Sequence, residues 1–130
     1  MKKHLLLFLS LSLLTLGNPI SAQKLSRTEK KIVAKVNSYD QEAIDFLEKV
    51  VNINSGTMNL EGVKAVGEVF DDAFKEINFA TQWIEMPEEM NRAGHLFASI
   101  KGNKGRKRLL MCHLDTVFEA DSTFQTFDRK

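Results

Sequence analysis

Leu109-Leu110-Met111-Cys112-His113-Leu114-Asp115-Thr116-Val117-Phe118 is the stretch on which the reading of this chain turns. Apolar residues run without a break into a histidine and then a carboxylate. A continuous apolar run of this kind fits a strand buried on both faces, in the middle of a sheet flanked by helices. The pattern predicts that strand over residues 108–112. Side chains of an extended chain alternate with period two, so His113 and Asp115 share one face and Cys112 and Leu114 the other. A histidine beside a carboxylate at the C-terminal end of a strand suits a metal site. One ring nitrogen of the neutral imidazole binds the ion, while a carboxylate accepting from the other fixes the tautomer and raises ligand basicity. Strand C-termini in open α/β sheets are also where ligands usually bind. On spacing alone, so short a pair also fits a purely structural role. Cys112 is adjacent but alternates away from His113, which favours a small buried hydrophobe over a second ligand.

Upstream of this stretch the chain reads as helices, then strands. Ser38 followed by Gln41 has the spacing of a capping box, and Ala43, Ile44, Leu47, Val50 and Val51 recur behind it at helical spacing. The turn-forming run Asn52-Ile53-Asn54-Ser55-Gly56 stops that helix. Asn59 can cap the next helix, with Glu61 at its positive end. Val63, Val66, Phe70, Ala73, Phe74 and Ile77 form its apolar face. Helices are therefore expected near 39–52 and 59–77, covering a sheet. Residues 79–86 and 95–101 read as strands, separated by a loop over 87–94, and Gly102-Asn103-Lys104-Gly105 as a turn. Glu85, Glu88 and Glu89 cluster near Pro87 as a solvated loop, and His95 reads as structural or surface. Residues 23–37 are polar and basic. They fit a solvated lead-in, or a first amphipathic helix carrying Ile32, Val33 and Val36.

The N-terminus has the order of a secretory signal peptide: a basic start at Lys2 and Lys3, an apolar run over residues 5–16, a break at Gly17-Asn18-Pro19 and a small residue at Ala22. The run is too short to span a bilayer, which takes about 20 apolar residues. Residues 1–22 are expected to be a cleaved signal peptide. Residues 23–130 would then form an exported, soluble chain, periplasmic or secreted and free of the membrane. Hydrophobic residues make up 43% and charged residues 27% of the 130, an average globular composition that fits neither disorder nor a coiled coil. Lys plus Arg is 18 against 17 for Asp plus Glu, so no basic excess points to nucleic acid. One cysteine rules out an intrachain disulfide and a multi-cysteine zinc cluster.

Residues 110–118 resemble the first metal motif of the co-catalytic zinc exopeptidases and aminoacylases: an apolar strand, a small residue, then His-x-Asp-Thr-Val. The likeness continues at Val51-Asn52-Ile53-Asn54-Ser55-Gly56-Thr57 and Asn59-Leu60-Glu61-Gly62-Val63. Those stretches are similar to the join between the first two helices in the glutamate carboxypeptidase branch. It extends into the loop over 118–127 and covers about residues 40–130. Gly94-His95 departs from the Gly-Asn of many relatives. The resemblance implies an α/β fold, the N-terminal part of a zinc-exopeptidase catalytic domain with helices packed on a mixed sheet. It implies that His113 is a ligand to one of two zinc ions and that Asp115 is the active-site carboxylate orienting it. The implied substrate is a small peptide or N-acyl amino acid with a free carboxylate.

The family's remaining ligands, its general base and its dimerising lid domain would lie beyond Lys130. A catalytic zinc takes about three protein ligands and an open position, and a two-metal site also needs a bridging group. This chain alone is accordingly expected to be inactive, with dimerisation possible only in a longer protein. The alternatives are a non-catalytic exported α/β fragment, and an amino-acid deacetylase or dipeptidase of the same family.

Overall fold

The computed structural model describes residues 24–129, so the expected signal peptide lies outside the described residues. Contacts divide the chain into two units, one ending at Ser38 and one beginning at Tyr39. In the first, Ser26 and Glu29 form a reciprocal capping box. The Ser26 hydroxyl accepts the Glu29 N–H at 3.2 Å, and the Glu29 carboxylate accepts the Ser26 N–H at 2.6 Å. Helix α1, Arg27–Asn37, follows and buries none of its residues. Ile32, Val33 and Val36 do lie in a helix, and they are exposed.

The second unit opens with α2, Asp40–Val51. The capping box expected at Ser38 and Gln41 does not form. Ser38 closes α1 instead, its hydroxyl donating to the Lys35 carbonyl at 2.7 Å, and Gln41 donates to Asp45 one turn along. The N-cap position of α2 falls on Tyr39, one residue later, so Ser38 is out of register for a box with Gln41 and its side chain serves the preceding helix end. Helix α3, Leu60–Glu76, is capped as its sequence predicts, with Asn59 Oδ1 accepting the Gly62 N–H at 3.1 Å.

The far end of α3 is a Schellman motif. Asn78 takes the left-handed conformation at φ 66°, Phe79 N–H bonds to the Phe74 carbonyl and Asn78 N–H to that of Lys75. The apolar contact that accompanies the motif is present as well, with the Phe74 and Phe79 rings 5.4 Å apart.

The chain then returns along α3 as an antiparallel pair, β1 (Ala80–Ile84) and β2 (His95–Ser99), in the register Thr81↔Ala98 and Trp83↔Leu96. These four residues are the half-buried ones on each strand, and α3 packs against both strands. A side chain at Gly67 would meet the Trp83 ring at 2.5 Å, so the bare backbone there lets the indole lie against α3. Val63 and Val66 are the buried apolar residues among those described. Phe46 of α2 lies edge-on to Phe70 of α3, the ring centroids 5.2 Å apart.

The fold is mixed α/β, but the sheet is an antiparallel pair of strands and not the expected mixed sheet with a central strand. Residues 108–112 form no strand, and Leu109, Leu110 and Met111 are 79%, 88% and 85% exposed. Cys112 is exposed too, not a buried hydrophobe. An apolar run records a demand for burial; it does not name the strands that would meet it. Among the described residues β1 and β2 pair with each other and with no third strand. His95 and Glu85, Glu88 and Glu89 are exposed, as read from the sequence. No helix among the described residues is long and apolar enough to cross a membrane.

Candidate functional site

The His-x-Asp segment is fastened to the turn between α2 and α3. Thr116 N–H donates to the Ser55 carbonyl at 2.8 Å, and Thr57 N–H donates to the Thr116 carbonyl at 3.0 Å. Together these make a short parallel bridge between Gly56 and Thr116. The turn is itself held by side-chain amides. Asn59 Nδ2 donates to the Asn54 carbonyl at 2.9 Å, and Asn54 Oδ1 accepts the Gly56 N–H at 3.3 Å. Asn54 Nδ2 reaches the other way, to the Phe118 carbonyl at 3.1 Å and to Gln125 Oε1 at 2.9 Å.

Further on, Gln125 Nε2 donates to the carbonyls of Glu119 and Ser122, and the Phe118 and Phe124 rings meet at a tilt, their centroids 4.8 Å apart. Asn52 Oδ1 accepts the Phe127 N–H at 2.9 Å. Arg129 pairs with Asp45 and Glu48 on α2. Residues 113–129 are thus laid against α2 and its following turn by polar staples rather than by a continuous apolar core.

Asp115 sits where these contacts converge, and its two oxygens have different partners. Oδ1 lies 3.2 Å from His113 Nδ1, and Oδ2 accepts from the Thr57 hydroxyl at 2.7 Å. The Thr57 hydroxyl holds the Asp115 carboxyl below the ordinary aspartate value, with His113 adding to the effect and partial burial opposing it. The Asp115 side chain is 34% exposed and that of His113 is 87% exposed. The imidazole projects into solvent with Nδ1 turned to the carboxylate and Nε2 facing away. Beside the pair lies a cleft of about 290 Å³, walled by Leu47, Val51 and Phe70 and floored in part by Leu114 and Phe118.

The described residues contain no group of three or more His, Cys, Asp or Glu side chains placed to hold a metal. The chemistry of the donors fits one ligand position and no more. Neutral His113 with Nδ1 bonded to a carboxylate offers Nε2 to an ion, the arrangement found when a carboxylate orients a zinc-bound histidine. A catalytic zinc needs about two further protein ligands.

Thr57 is the site residue that the sequence left without a role. It stands 58 positions from Asp115, and no spacing rule links residues so far apart. The turn-forming character of residues 52–56 marks the loop but not the partner of its hydroxyl.

Comparison with known proteins gives one curated relative. Carboxypeptidase G2 of Pseudomonas sp. (strain RS-16) is 30% identical over 100 residues, which is 76% of this chain and 24% of that enzyme. The chain therefore spans about a quarter of the length of the relative it matches. No family model and no solved structure matches.

Proposed function

We propose that this chain is the part of an exported zinc exopeptidase, of the glutamate carboxypeptidase kind, that contributes the first metal ligand and the carboxylate that orients it. His113 is the ligand and Asp115 the orienting carboxylate. The observation that carries the reading is the His113 Nδ1 to Asp115 Oδ1 contact of 3.2 Å, which leaves Nε2 free of the carboxylate and facing solvent. The similarity to a carboxypeptidase over 100 residues supports the same reading.

When bound, two zinc ions would supply a polarised carbonyl and a water of lowered pKa. The chain's own contribution is to present one imidazole nitrogen in a fixed tautomer and orientation. Further ligands and a general base would come from a longer protein carrying this chain. Substrates would be small peptides or N-acyl amino acids with a free carboxylate, glutamate among them. Nucleic acid is not a partner on this reading, and dimerisation belongs to the longer protein.

The test is release of glutamate from an N-acyl-glutamate. A longer protein that carries this chain should release it in a chelator-sensitive way, and the 130-residue chain alone should release none. Chelator-sensitive turnover by the isolated chain, or chelator-resistant turnover by the longer protein, would refute the assignment.

A further inference from the structure

The Thr57 hydroxyl has two acceptors in reach, Asp115 Oδ2 at 2.7 Å and the Thr116 carbonyl at 3.1 Å. It owns a single proton. The carboxylate is the nearer and the charged acceptor, and charge-assisted hydrogen bonds are about twice as strong as neutral ones. The proton therefore goes to Asp115.

Little conformational freedom remains to be lost in making that bond. The backbone on both sides is already registered by the Gly56–Thr116 bridge, and the turn is held by Asn54 and Asn59. Asp115 itself could otherwise turn about its side-chain torsions and present either oxygen, or neither, to His113. With Oδ2 tied down, Oδ1 is left facing Nδ1 of the imidazole. A neutral imidazole carries its proton on only one nitrogen, and the group bonded to the other decides which.

From this we infer that Thr57 is a positioning residue: its hydroxyl aims the Asp115 carboxylate at His113 and thereby sets the imidazole as the Nδ1–H tautomer, with the Nε2 lone pair outward. The Thr57 hydroxyl bonds to the Asp115 carboxylate rather than to the imidazole. It acts through Asp115, from a turn far away in sequence. The inference deepens the functional reading above, because that tautomer is the one a ligand binding through Nε2 requires.

The test is nitrogen-15 NMR of the His113 ring in the metal-free 130-residue chain, assigned by its loss in His113→Ala. Spectra are collected over a pH series and read on its alkaline plateau, where the ring nitrogen shifts stop changing and only the tautomer is reported. The wild type and Thr57→Ser should be mainly Nδ1–H. Thr57→Val, close in shape but without the hydroxyl, should revert to mainly Nε2–H, the form an unconstrained histidine side chain prefers. Unchanged Nδ1–H in a folded Thr57→Val overturns the inference, and so does an Nε2–H ring in the wild type.

A second reading needs no variant. The Thr57 hydroxyl proton in the wild type should be protected from exchange and should show a coupling or contact to the Asp115 carboxyl. A freely exchanging hydroxyl overturns the inference as well. Neither measurement involves zinc or turnover. A longer protein lacking zinc-dependent activity would refute the exopeptidase reading and leave the tautomer result standing. A wrong tautomer would refute the role of Thr57 and leave the activity to be judged separately.

Discussion

Gly62→Ala tests whether helix α3 and the site-bearing turn are as closely joined as the structure shows. Gly62 is the third residue of the first helical turn, and its N–H is the one capped by Asn59. In a helix interior, alanine in place of glycine favours the fold by about 1 kcal/mol. Steric crowding opposes this. A Cβ at position 62 would lie 1.8 Å from the Asn54 carbonyl oxygen, about half the ordinary separation of non-bonded heavy atoms.

That oxygen cannot swing away cheaply. It accepts from Asn59 at 2.9 Å, and the Asn54 side chain is bonded to Phe118 and Gln125. Overpacking of this kind costs about 1–3 kcal/mol, and one broken hydrogen bond adds about 1 kcal/mol. The crowding outweighs the propensity gain, for a net destabilisation of about 2 kcal/mol. In a domain near 100 residues each kcal/mol moves the midpoint by about 4–8 °C, so Tm should fall by about 8–16 °C.

Thermal unfolding followed by circular dichroism reads the shift, with Gly67→Ala as the comparison. There the obstructing atom belongs to the Trp83 ring rather than to the backbone, and the loss should be smaller. In amide spectra of Gly62→Ala, residues 54–57 and 113–116 should shift together. A Gly62→Ala chain that melts at or above the wild-type temperature would refute the close approach and the coupling built on it.

Three other outcomes follow from named contacts. Asp115 has a folded-state pKa below its unfolded value of about 3.9. Its contribution is therefore complete above about pH 5 and is lost as pH falls through the lowered folded value. Denaturation of wild type and Asp115→Asn at a series of pH values should show a gap that is constant near neutrality and closes in acid; a gap that widens in acid would contradict the assignment. Asn54→Ala removes two side-chain bonds to the 118–125 segment and should cost about 1–2 kcal/mol, with faster amide exchange at Gly56, whose N–H it also accepts, and across that segment; uniform exchange across the unit would contradict its role as a staple. Cys112 is exposed and should react with a thiol reagent in the native chain as fast as in denaturant, whereas a reaction that needs unfolding would restore the buried reading.

The two helices of the second unit were legible because their signals are local. Val63, Val66, Phe70 and Phe74 repeat at helical spacing, and Asn59 can cap only the residues next to it. The end of α3 was legible from the same repeat, expected near residue 77 and found at Glu76. Ser38 misled because α2 starts one residue later than the box requires, with Tyr39 at its N-cap, and a spacing rule does not fix that start. The mirror case is Ser26 with Glu29, a box that the basic character of residues 23–37 obscured.

Leu109 to Met111 misled for a different reason. Continuous apolar character is a property of the segment alone, while strand formation needs partners that the segment does not encode. Period two predicts that His113 and Asp115 share one face, and their nearest atoms lie 3.2 Å apart, but the strand that carried that argument does not form and the chain bends at Leu114. Thr57 was not legible, because a hydroxyl that meets its carboxylate through a fold leaves no trace in spacing.

The central claim is that His113 is one zinc ligand of a larger site, oriented by Asp115. Zinc content, measured by atomic absorption on a longer protein that carries this chain and compared with its His113→Ala variant, tests it most directly. Two-metal hydrolases hold a pair of ions, so the wild type should retain two zinc ions after dialysis. His113→Ala should lose about one, and Asp115→Asn should bind about 10–100-fold more weakly. Equal zinc content and equal affinity in wild type and His113→Ala would contradict the account.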